Sequence, residues 1–157
     1  MFPSVQINAL NQLSGETKEI ERHALFVGVG TVNPGKLLAL TPDSDFDKVF
    51  GETDTDLKKQ VRAAMLNAGQ NWFAHVYIAQ EDGYDFVECV KKANQTASFE
   101  YCVNTRYLGV DKASIGKLQE CYAELLAKFG RRTFFIQAVQ GINHDQSDGE
   151  TWDQYVR

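Results

Sequence analysis

The stretch Gly30-Thr31-Val32-Asn33-Pro34-Gly35-Lys36 places two glycines and a lysine at the spacing of a phosphate-binding loop. In such a loop backbone amides cradle phosphates and the lysine neutralises the terminal groups. The chemistry fails at the next residue. Leu37 stands where a serine or threonine hydroxyl must hold magnesium, Pro34 removes one amide from the cradle, and Lys36 to Thr41 reads as a strand rather than the helix that should follow. Gly28-Val29-Gly30 lacks the third glycine and the helix of a dinucleotide fingerprint. A glycine-rich turn between two strands accounts for both glycine groups.

Other candidate groups do not converge either. Asp43-Ser44-Asp45-Phe46-Asp47 copies the first ligand positions of a calcium loop, but Lys48 replaces the turn glycine and Asp54 the bidentate glutamate. Acids at that point are better read as favourable charges at the start of a helix. The acidic loop Asp145 to Glu150 reads as solvated surface. His23, His75 and His144 have no partners at metal-ligand spacing, and there is no Gly-x-Ser-x-Gly elbow. Cys89, Cys102 and Cys121 are odd in number and set in apolar patterns, as expected of reduced core thiols. Asn94-Gln95-Thr96 matches a glycosylation acceptor without secretory context. The sequence thus predicts no catalytic residue, no metal and no cofactor.

The 157 residues are 43% apolar and 24% charged, which fits one ordinary globular domain. A net charge of −5, with no basic block, argues against nucleic acid as a partner. No apolar run reaches membrane-spanning length and the start is not that of a signal peptide, so a soluble intracellular product without membrane contact is expected. Residues 1–23 read as an extended N-terminal arm, 24–139 as an α/β core and 140–157 as a polar loop leading into the start of a truncated helix. That cut helix implies the front part of a longer protein.

Within the core, Ala24 to Val29 and Lys36 to Thr41 read as strands that the Asn33-Pro34-Gly35 turn should make neighbours. Ser44 should cap a short helix ended by Gly51, and Asp54 or Thr55 a longer one carrying Leu57, Val61, Ala64, Met65 and Ala68 on one face. Trp72 to Ala79 reads as a buried strand, Tyr84 to Asn94 as a helix and Ser98 to Val103 as a strand. The helix Asp111 to Phe129 should turn Ile115, Leu118, Tyr122, Leu125, Leu126 and Phe129 inward, before a last strand at Thr133 to Val139. This alternation predicts an α/β fold: a mixed, mostly parallel sheet of about five strands with helices packed on its faces.

One ordered layout goes further. The strand Phe26-Val27-Gly28-Val29-Gly30, the Pro-Gly turn, Leu38-Ala39-Leu40-Thr41, Ser44 to Gly51, Val61-Arg62-Ala63-Ala64-Met65, Asn67-Ala68-Gly69 and Phe73-Ala74-His75-Val76-Tyr77 together resemble the contractile tail sheath proteins of phages and prophages. The opening Phe2-Pro3-Ser4-Val5 is similar to the sheath start. The likeness covers about residues 2–79, and 80–157 match only as an α/β continuation. Two features depart from the family pattern: Met65-Leu66-Asn67-Ala68-Gly69-Gln70 replaces an aromatic, glycine-rich helix end, and His75 and Tyr77 stand where an arginine is usual.

The resemblance implies a non-catalytic structural subunit that polymerises with copies of itself around a tail tube, which it contacts through a missing C-terminal part. Its place would be the virion tail sheath, assembled in the bacterial host cytoplasm. The arm would then add a strand to a neighbour, with Val5, Ile7, Leu10 and Leu13 as candidate partner-binding residues. The alternative from the residues alone is a small-molecule-binding or enzymatic α/β domain with its site near the Gly30 to Lys36 turn.

Overall fold

The computed structural model describes residues 23–69, 72–107, 112–130, 132–138 and 151–155. Among them five strands, β1 (Ala24–Val29), β2 (Lys36–Leu40), β3 (Ala74–Ala79), β4 (Tyr101–Asn104) and β5 (Phe134–Gln137), form one sheet in the order β2-β3-β1-β4-β5. β1 runs parallel to both β3 and β4, and β4 parallel to β5, while β2 is antiparallel to β3. The helices are α1 (Phe46–Phe50), α2 (Asp56–Ala68), α3 (Phe86–Asn94), α4 (Lys112–Phe129) and α5 (Trp152–Tyr155). The expected mixed α/β sheet is the observed one.

Because successive side chains of a strand point to opposite faces, the central strand β1 feeds two cores. Leu25 and Val27 pack with Tyr77 and Ala79 of β3, Phe86, Cys89, Val90 and Ala93 of α3, and Cys121 and Leu125 of α4. Phe26 on the other face packs with Val76 and Ile78, Phe46 and Phe50 of α1, Leu57 and Val61 of α2, and Trp72. A strand buried on both faces is apolar throughout, which is why Ala-Leu-Phe-Val-Gly-Val carries no polar alternation.

Four local expectations are corrected. β1 and β2 are not neighbours, since β3 lies between them. Gly30 N donates to Ala79 O (3.2 Å) and Gly35 N to Ile78 O (2.7 Å), so the turn straddles the end of β3. It spans two interstrand spacings of about 4.8 Å each, too wide for a two-residue hairpin. Second, α1 is capped by Asp45, whose Oδ1 accepts from Asp47 N and Lys48 N at 3.1 Å, while Ser44 Oγ accepts from Thr41 N (2.9 Å) inside the preceding turn.

Third, the inward stripe of α4 is Leu118, Cys121 and Leu125, and Ile115, Tyr122, Leu126 and Phe129 are exposed. The apolar arc of this helix is wider than the sheet and α3 can cover. Fourth, Ala68 is exposed, leaving Leu57 and Val61 as the fully buried residues of the α2 face. The N-terminal arm over residues 1–22 lies outside the described residues.

Candidate functional site

The crossing between β1 and β2 uses its polar groups on itself. Asn33 takes a left-handed φ of 55° and its Nδ2 donates to Val49 O (3.1 Å), while Lys36 Nζ donates to Asn33 Oδ1 (3.1 Å). The lysine of the loop that imitates a phosphate cradle thus braces its own turn. Gly28 has a packing reason rather than a ligand one: a Cβ there would lie 2.1 Å from Thr105 Oγ1 and 2.9 Å from Leu57 Cβ. Its bare backbone lets α2 close on the sheet.

A cleft of about 680 Å³ opens beside this turn, at the carboxyl ends of β1, β3 and β4, where open α/β sheets bind ligands. Two of its three charged lining residues, Asp56, Glu81 and Arg106, answer one another. Arg106 Nη1 pairs with Glu81 Oε1 at 2.8 Å, and its guanidinium lies 5.4 Å over the Tyr84 ring. Thr105 Oγ1 donates to Val27 O (3.1 Å), and Thr105 O accepts from Gln60 Nε2 (3.2 Å). Tyr84 donates its hydroxyl proton to Asn104 Oδ1 (2.6 Å), and burial pushes its pKa well above the usual phenol range. No nucleophile and base stand within hydrogen-bond reach of each other here among the described groups.

The acids that imitate a calcium loop surround a cation the chain itself provides. Lys58, 2% exposed, sets its Nζ 2.7 Å from Asp47 Oδ1 and 3.5 Å from Asp54 Oδ1, and donates to the carbonyls of Gly51 (2.8 Å) and Glu52 (3.2 Å). The ammonium fills an oxygen cage and ties the α1–α2 connection to α2. Its hydrogen bond holds the Asp47 carboxyl below its ordinary value, and Asp47 in return raises the Lys58 pKa. No group of three His, Cys, Asp or Glu side chains able to hold a metal occurs among the described residues.

The cysteines and His75 sit in apolar or aromatic surroundings, while His144 and the loop Asp145 to Glu150 lie outside the described residues. Cys89, Cys102 and Cys121 are free and buried in one core, and burial pushes the Cys89 thiol up to about 11 and Cys102 well above its usual value, the reverse of an activated thiolate. His75 lies edge-on to Phe73 (5.0 Å) and His23 (6.0 Å), and burial lowers its pKa, so it is held neutral rather than poised as an acid.

What the described residues do present is a sheet edge, at the last expected strand, whose apolar side chains stand exposed. The register Phe26↔Val103↔Ile136 puts Ile136, and with it Phe134, on the face that α1 and α2 cover over β1 and β3. That cover stops short of β5, leaving Phe134 60% and Ile136 51% exposed, with Phe134 stacked on Tyr101 (5.9 Å). The signal available beforehand was Thr133-Phe134-Phe135-Ile136, apolar on both faces in the last strand of a parallel series, which ends at a sheet edge. The arm residues Val5, Ile7, Leu10 and Leu13 lie outside the described residues.

A family model described as DUF2586, N-terminal domain, matches residues 2–157. A curated relative from Haemophilus phage HP1 (strain HP1c1), named "Putative tail sheath protein", is 98% identical over 157 residues, all of this chain. The chain spans 42% of the length of that relative.

Proposed function

The chain belongs to the family described as DUF2586, N-terminal domain, and from that premise we propose that it is part of a contractile tail sheath subunit of a phage or prophage. The observation that carries this reading is the near identity with a phage protein bearing a tail sheath name, over the whole of this chain. The geometry is in keeping with it: Lys58 with Asp47 and Asp54, and Arg106 with Glu81, are paired among themselves. The protein works as a non-catalytic structural component of the virion, assembled in the host cytoplasm.

The proposed mechanism is self-assembly. An arm over residues 1–23 precedes a core over 24–139 and a polar segment over 140–157, and the arm reaches a neighbouring copy through Val5, Ile7, Leu10 and Leu13. Main-chain pairing along an exposed edge supplies affinity, and alternate side chains supply register. The remainder of the longer protein contacts the tail tube, and contraction is a rearrangement between two packings rather than a hydrolytic step. Electron microscopy of the longer protein tests this. Regular tubes or stacked rings are expected, lost in a Val5→Asp/Ile7→Asp variant that keeps its circular dichroism. A longer protein that stays monomeric with tube protein present overturns the reading.

A further inference from the structure

Among the described residues no strand pairs with the outer edge of β5, and exposed apolar side chains flank it on both sides of the sheet. On one face stand Phe134 and Ile136. On the other, the flank of α4 that carries Ile115, Tyr122 and Leu126 is exposed. At 100° per residue these three lie across the buried Leu118-Leu125 stripe from Glu124, and Glu124 pairs with Lys91 of α3 at 2.8 Å. They therefore line the side of α4 turned away from α3, and since α3 packs on β1 and β3, with only Phe86 reaching Phe135 of β5 (6.0 Å), that side is the one towards the β5 edge.

Natural sheets blunt such edges with lysine, proline or a bulge. Phe134-Phe135-Ile136-Gln137-Ala138 contains neither lysine nor proline, whereas the opposite edge strand β2 begins with the exposed Lys36. Arg132 stands just before the strand, but an edge with apolar side chains over Phe134 to Ile136 is a template for another strand and an aggregation hazard if left bare.

We propose that this edge is completed by an extended segment of the same polypeptide, drawn from the part of the longer protein outside residues 1–157. More than half of the phage relative's length lies outside the matched stretch, so a protein of that length has chain to supply it. The required chemistry also separates it from the arm. A strand added to β5 meets Phe134 and Ile136 on one face and the α4 flank on the other, so it must be apolar at successive positions. Ser4-Val5-Gln6-Ile7-Asn8 alternates with polar residues and offers only one such face.

The experiment is photo-crosslinking from p-benzoylphenylalanine at position 134 in the longer protein, using a mixture of isotopically heavy and light copies. Crosslinks within one copy, ending outside residues 1–157 in an apolar segment, are expected. Hydrogen exchange on the unmodified longer protein gives a second readout free of the substitution: the peptide over 134–138 should exchange at least tenfold slower than expected for an open edge. Mixed heavy–light products would assign the edge to a second copy, and crosslinks into residues 2–13 to the arm. Fast exchange without any crosslink would leave it open. Each of these overturns the proposal. The tail sheath reading stands or falls on polymer formation and is untouched by them.

Discussion

Gly28 shows how one missing methyl group sets the distance between two layers. A methyl on it would meet Thr105 Oγ1 at 2.1 Å and Leu57 Cβ at 2.9 Å, and neither neighbour can withdraw easily. Thr105 Oγ1 donates to Val27 O and Leu57 is 1% exposed within the α2 face. Gly28→Ala should therefore push α2 off the sheet, at an overpacking cost of about 1–3 kcal/mol. For a chain of this size that is a fall of several degrees in thermal midpoint, since 1 kcal/mol moves it by roughly 2–4 °C. Differential scanning calorimetry checks it, and an unchanged midpoint would mean that the layers are not held by this contact. The acids near α1 belong to the same scale. Five residues looked like the start of a calcium loop, but only Lys58, eleven positions after Asp47, reveals that the cation is already in the chain.

At the level of elements, the sequence announced most of what formed and little of where it went. Of the two expected caps, Asp54 and Thr55, it is Thr55 that caps α2, with Lys58 N donating to Thr55 Oγ1 at 3.3 Å, and Gly69 ends the helix as expected. The sheet order was not legible at the Asn33-Pro34-Gly35 turn, because a turn signal says that the chain reverses and not how many strands it crosses. In α4 the apolar residues alone misled. The buried stripe Leu118-Cys121-Leu125 is flanked on the α3 side by Glu124, which accepts from Lys128 (2.6 Å) and pairs with Lys91 of α3 (2.8 Å). These two ammonium groups, Lys128 first, hold the Glu124 pKa down to about 2 against an ordinary 4.5.

The fold therefore prefers the ionised carboxylate. The stabilisation is complete above about pH 4.5 and is lost as the pH falls from there through about 2. Solvent access keeps it small. Glu124→Gln should lower the thermal midpoint slightly at pH 7, and most of the gap to the parent protein should be gone at pH 2. Circular dichroism melts at the two pH values decide this. A gap of equal size in acid would assign the effect to packing rather than charge.

For the whole molecule the question is which parts hold the fold and which serve assembly. The two cores on either face of the sheet are closed by residues between Leu25 and Leu125, with the central strand contributing to both. Residues 1–13 carry only Val5, Ile7, Leu10 and Leu13 as branched aliphatics, and the polar Ser14-Gly15-Glu16-Thr17-Lys18-Glu19 separates them from β1. An extended segment of that composition gains most from pairing its amides and carbonyls with another edge, which in a homopolymer belongs to a neighbour. Deleting residues 1–13 should then cost the 157-residue chain no more than about 1 kcal/mol, a shift of roughly 2–4 °C in midpoint, while the same deletion in the longer protein abolishes polymer formation. The two measurements have to agree. A truncated chain that unfolds or aggregates would make the arm a strand of its own sheet, and one that leaves the polymer intact would remove it from assembly altogether.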